Sequence, residues 1–276
     1  GLGDVYKRQL TNYLSILNDM SNSQKQWGAI IVMIALFAMI AFVTNLCTPM
    51  ATIIKNQGEI SNVLAQIGNY GNFVAYLVMG IPAGMLIAKF GYKKTALIGL
   101  IVGMLGIGIQ WYSGQIPVEG NVGLVFGVYL VGAFIAGLCM CILNCVVNPM
   151  LNLLGGGGNS GNQLIQIGGT LNSLTGTLTP LLVGVLIGQV TANTSMTDVS
   201  PLLFIGMGVF AISFFIIMAV TIPEPQSNTS GEKFEHSPLA FRHTLLGIIA
   251  IFFYVGIEIG IPAQLNFYIT GLGFEG

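Results

Sequence analysis

Charge is scarce in this sequence. Asp, Glu, Lys and Arg make up 7% of its 276 residues, against about 25% in an average soluble domain. Apolar residues reach 54%, and mean hydropathy is +0.81. So few charges cannot cover a water-facing surface, so lipid is the expected solvent for most of the chain. The formal net charge is −1 and the nine basic residues form no broad patch, which argues against a nucleic-acid partner. Histidine occurs only at His236 and His243, on or beside a polar segment, where a solvated role is expected. The four cysteines, Cys47, Cys139, Cys141 and Cys145, lie in apolar runs and read as small packing residues. Cys141 and Cys145 share a helix face, yet no His or acid lies near them to complete a metal site. No metal, no cofactor and no nucleophile–base pair is expected, so an enzyme is excluded. GGGGNSGN, residues 155–162, lacks the GK[ST] ending of a phosphate loop and reads as a flexible cytoplasmic joint.

What the sequence has in abundance is long apolar runs. A bilayer core needs about 20 mostly apolar residues per helix. Seven stretches qualify, near 28–52, 63–88, 95–113, 122–152, 164–189, 200–222 and 243–270. None alternates as a strand does. The fold class expected is all-α and integral to a membrane. Residues 1–26 form an N-terminal segment, 27–222 a six-helix bundle, 223–242 a polar linker, and 243–276 a seventh helix that starts a second bundle. The opening GLGDVYKRQ is similar to a translated adapter sequence, so residues 1–9 are expected to be non-native. The end after an apolar segment is expected to mark a fragment of a longer protein. With the N-terminus in the cytoplasm, Lys7, Arg8, Lys25, Lys89, Lys93, Lys94, Lys233 and Arg242 all face inward and only Lys55 faces out. Trp27 and Trp111 fall at span ends, as interfacial anchors do.

The chain also repeats itself. NVLAQIGNYGN (62–72) returns as NQLIQIGGTLN (162–172), and Pro49-Met50 returns as Pro149-Met150, both at an offset of one hundred residues. Span 2 runs inward and span 5 outward, so the motif occurs twice in opposite orientation. A three-helix unit repeated upside down is a common plan for secondary transporters. Gly, Asn and Gln at such positions also serve helix packing.

GMLIAKFGYKK, residues 84–94, is similar to the loop motif G-x-L-x-D-R-x-G-R-[KR] of the major facilitator superfamily. Gly84, Leu86, Lys89, Gly91 and Lys93 fit, whereas Ala88 stands for the aspartate and Tyr92 for a base. PAGMLIAKFGYKK (82–94), NCVVNPMLNLLG (144–155), LNSLTG (171–176) and FFYVGIE (252–258) resemble the fucose and glucose/galactose porter branch. The resemblance implies a major facilitator fold and alternating-access transport of a small neutral hexose, such as glucose, galactose or fucose. It implies a monomer in the bacterial inner membrane. In the proton-coupled members an aspartate stands where this chain has Asn45, and a glutamate or glutamine where it has Asn144. The branch's arginine near the start of span 5 is absent around Leu164. A proton, sodium or no ion at all remains open as the coupling partner.

Ionisable groups inside spans are costly and functional by default. Glu258, near the middle of span 7, is the clear case, and Pro262 frees its carbonyl from the helix ladder. It is expected to carry the coupling ion or bind sugar hydroxyls. A sugar site needs convergent donors and acceptors, and amides supply both. Asn144 is the leading substrate contact, with Asn45, Asn148, Gln163, Gln166 and Gln264 as further candidates. Asn72 and Asn172, mates in the inverted repeat, suit gates, together with Gly84, Lys89, Gly91, Lys93 and Lys94 of the loop motif. Transport of another small molecule, drug efflux, and a non-transporting membrane sensor are the alternative readings.

Overall fold

The structure is a computed structural model that describes residues 27–58, 62–117, 120–188, 197–220, 222 and 240–271. Among the described residues there are six helices: α1 (Trp27–Gly58), α2 (Asn62–Ser113), α3 (Val122–Leu154), α4 (Gly158–Ile187), α5 (Ser200–Ala219) and α6 (Arg242–Gly271). Among the described residues α1 to α5 each hold a stretch long and apolar enough to cross a membrane. The chain forms two compact units, divided after Pro225. The first holds α1 to α5; α6 belongs to the second.

The five helices of the first unit make six spans, because α2 is two helices joined at one residue. Gly91 has φ 80 and ψ 173, a non-helical conformation inside an otherwise continuous helix. The two arms of α2 turn back on each other there. Along the first arm, Asn72 lies against Gly137 of α3 and Tyr76 against Asn144, so arm and α3 run the same way. Along the second arm, Gly99 lies against Ile142, Gly106 against Ala136 and Gln110 against Gly132, so that arm runs opposite. The expected loop between spans 2 and 3 is thereby reduced to a single residue, with helix up to Phe90 and again from Tyr92. A glycine needs no linker to reverse a helix, since positive φ carries no Cβ penalty for it.

GGGGNSGN differs from the flexible joint expected of it. It is a hydrogen-bonded turn and not a loose joint. Gly155 N donates to Leu151 O, Gly156 N to Leu153 O and Gly157 N to Asn152 O, and these bonds close off the carbonyls at the end of α3. The α4 helix begins at Gly158, six residues before the expected start of span 5.

The core lies along α1 and α3, whose Met33, Leu36, Tyr129, Leu143 and Met150 are fully buried. Around this pair the other elements pack in antiparallel or parallel register. On α4, Gly168 meets the Phe37 ring and Gly176 meets Asn45, so α4 and α1 run the same way. On α5, Phe210 reaches Gly103, Phe204 stacks 5.6 Å from Trp111, and the end of the helix receives Lys93, so α5 runs against the second arm of α2. All six spans therefore alternate in direction, as a membrane bundle requires.

The repeat is present in the contacts as well as in the letters. Asn72 of the first arm packs its backbone on Gly137, where an added Cβ would lie 2.7 Å from Asn72 O. One hundred residues on, Asn172 Nδ2 donates to Phe37 O at 2.9 Å. The pair 72 and 137 and the pair 172 and 37 are one contact seen twice, with the two halves exchanged. Tyr76 against Asn144 and Gly176 against Asn45 repeat the relation within one residue.

Candidate functional site

Asn45 of α1 and Asn144 and Asn148 of α3 place amides within apolar spans, and Tyr76 brings the first arm of α2 against α3. α3 carries Asn144, Asn148 and Asn152 at four-residue spacing, hence on one face. Each of the first two uses its amide nitrogen on the helix itself: Asn144 Nδ2 donates to Met140 O at 3.1 Å, and Asn148 Nδ2 to Asn144 O at 3.0 Å. On α1, Asn45 Nδ2 donates to Ala41 O at 2.8 Å in the same manner. The three side-chain carbonyls are left as acceptors. Two main-chain carbonyls join them, since Pro49 and Pro149 have no N–H to offer Asn45 and Cys145. Asn45, Asn144 and Asn148 are each part-buried, neither sealed in the core nor on the outer surface. A row of neutral acceptors in apolar surroundings suits a neutral ligand rich in hydroxyls.

Sequence reasoning missed Tyr76. Its hydroxyl receives Asn144 Nδ2 at 2.8 Å and so ties the first arm of α2 to α3. Its ring lies 6.4 Å from that of Phe73. Read alone, a tyrosine in an apolar arm is an interfacial or packing residue; the signal available was its place four residues after Asn72, on the same helix face.

The other expected residues fall into three places. Gln163 and Gln166 are exposed near the start of α4. Asn72 is 3% exposed and Asn172 bonds α1, so both sit at helix–helix contacts. In the 84–94 motif, Gly91 forms the reversal described above, while Gly84 has nothing within 4 Å of a built Cβ. Lys93 Nζ donates to Met218 O and Val220 O, each at 2.9 Å, and places a cation on the last carbonyls of α5. Lys89 is exposed with its Nζ 5.2 Å from the Phe90 ring centre, and Lys94 is exposed. In the second unit Glu258 is exposed at mid-helix in α6. The side chain of Gln264 and the segment 223–239 lie outside the described residues.

A hollow of about 400 Å³ opens between Phe42 of α1 and the Thr175–Val185 part of α4. Leu178, Leu181, Leu182 and Val185 line it. The hydroxyls of Thr175 and Thr179 turn back to carbonyls of their own helix. This lining is almost wholly apolar and suits a sugar poorly. Among the described residues no group of three or more His, Cys, Asp or Glu side chains could hold a metal.

Comparison with known proteins gives the family. The family model of the Major Facilitator Superfamily matches residues 24–276. The chain is 28% identical over 257 residues to a glucose/galactose transporter of Brucella abortus, covering 90% of this chain and 60% of that protein. It is 27% identical over 242 residues to a putative glucose/galactose transporter of Helicobacter pylori, covering 84% and 57%. With an L-fucose-proton symporter of Escherichia coli it shares 25% identity over 165 residues, covering 60% and 36%. The chain thus spans about 60% of the length of the first of these relatives.

Proposed function

The chain belongs to the Major Facilitator Superfamily, and on that premise we propose that it serves alternating-access transport of a small neutral hexose across the bacterial inner membrane. The observation that carries this reading is the row of uncharged acceptors at Asn45, Asn144 and Asn148. The spans that frame them carry no acid. A lipophilic cation would want a carboxylate in that position, so drug efflux fits less well. The names of the relatives support a hexose as the cargo.

In this proposal the protein acts as a monomer with its N-terminus in the cytoplasm. Asn144, Asn148 and Asn45 contact the sugar, with Gln163, Gln166 and Gln264 as further contacts from spans 5 and 7. Asn72, Asn172 and the Gly84–Lys94 turn take part in the change between open states. Glu258 is the candidate ion carrier, because amides at positions 45 and 144 cannot exchange a proton at physiological pH.

The test is uptake of labelled glucose, galactose and fucose by the full-length protein in cells lacking their own carriers, with and without a protonophore. Accumulation that collapses with the protonophore is expected if Glu258 couples a proton, and Glu258→Gln should then reduce transport to equilibration. Equilibration that ignores the protonophore would remove the coupling role from Glu258. No uptake of any hexose would sink the sugar reading.

A further inference from the structure

Both hydrogens of the Asn144 amide are accounted for. One goes to Met140 O at 3.1 Å and one to the Tyr76 hydroxyl at 2.8 Å. The main-chain carbonyl can only accept, so the amide nitrogen must face it, and this fixes which way round the amide sits. The same nitrogen then donates to Tyr76, whose oxygen is the acceptor. Two consequences follow from valence alone. The Tyr76 hydrogen is turned away from Asn144, and Asn144 Oδ1 keeps its lone pairs. Neither makes a further hydrogen bond to any described residue.

We propose that Tyr76 is a specificity-determining residue, and that Tyr76 and Asn144 together recognise two adjacent ring hydroxyls of the substrate. This rests on the hexose-transport reading above. The pair presents one donor, the phenolic O–H, beside one acceptor, the amide oxygen. A vicinal diol answers it: one hydroxyl accepts from Tyr76 and its neighbour donates to Asn144. A cationic ligand leaves the Tyr76 hydrogen facing a donor, and a purely accepting ligand leaves Asn144 Oδ1 facing an acceptor. Both are rejected, because a buried polar group left unpaired costs more than a good pair gains. The part-burial of both residues leaves the diol room to approach while keeping water from competing freely.

The experiment uses the full-length protein in liposomes and competes uptake of its hexose with deoxy- and fluoro-sugars altered at each ring carbon. Fluorine accepts weakly but cannot donate. The expected profile in the wild type has two adjacent positions. Facing Tyr76, replacement by hydrogen weakens competition at least about fivefold while fluorine is tolerated. Facing Asn144, neither replacement is tolerated. Tyr76→Phe should raise KM about fivefold to tenfold, leave the maximal rate within about twofold, and abolish discrimination at the first position only. A Tyr76→Phe protein that loses thermal stability but keeps the wild-type profile would make the hydroxyl a packing bond and overturn the proposal. So would a wild-type profile without the adjacent pair, which needs no variant to fold. A wild-type protein that carries no hexose overturns the transport reading itself and this proposal with it, and is told apart from the other failures by the silent wild type.

Discussion

Two glycines of the 84–94 motif give opposite predictions, although the motif treats them alike. Gly91 holds φ 80 with ψ 173, a region that is essentially closed to residues with a Cβ and costs about 1–3 kcal/mol to occupy. Gly84 sits inside a helix, and a Cβ built on it meets nothing within 4 Å. Alanine at Gly84 removes backbone freedom from the unfolded chain and should stabilise by about 0.5–1 kcal/mol. Alanine at Gly91 must either strain the reversal or open the two arms of α2. The two variants should therefore differ by about 1.5–4 kcal/mol. At about 2–4 °C per kcal/mol for a domain of this size, Gly91→Ala should melt some 3–16 °C below Gly84→Ala. Thermal unfolding of the purified protein in mild detergent, followed by intrinsic fluorescence, reads the difference. Melting temperatures that coincide within a degree or two would refute the claim that one glycine carries the whole turn.

Two further substitutions bear on the packing. Gly137→Val would place a branched side chain 2.7 Å from Asn72 O and 2.8 Å from the Asn72 Cα, so it should cost about 3 kcal/mol or more and sharply lower the yield of folded protein. Gly127→Val, with open space around it, should leave the yield near wild type. Lys93→Met keeps the aliphatic stem but removes the cation from the end of α5 and should cost about 1 kcal/mol. Amide hydrogen exchange should rise in the last turn of α5, whereas Lys89→Met, at an exposed lysine, should leave it unchanged.

Much of the bundle was legible because lipid imposes a simple rule on composition. Long uncharged runs gave the spans, and an offset of one hundred residues gave the inverted repeat that the 72–137 and 172–37 contacts display. The joints were harder to read. A glycine-rich string looks alike whether it is slack or is folded into the bonded turn at 155–158, and a one-residue reversal at Gly91 leaves no polar loop to notice. The site was legible only in part. Asn45, Asn144 and Asn148 stood out as amides in apolar runs, but which atoms face outward depends on bonds to main-chain carbonyls that no side-chain pattern reveals. Tyr76 escaped because its role comes from a partner sixty-eight residues away.

The exchanged contacts also bear on how the protein is made. Each three-helix unit fastens to the other: Asn72 of the first packs on α3 of the second, and Asn172 of the second bonds α1 of the first. Neither unit closes by itself. A newly inserted α1 gains this bond only from a partner 135 residues further along the chain. At about 5–20 residues per second of synthesis, that delay is on the order of 7–27 s, during which the α4-facing side of α1 meets lipid or an insertion factor. The side of α1 that meets α4 is therefore completed only when α4 arrives, and a ribosome stalled before residue 172 should leave that side, around Phe37, open to chemical labelling.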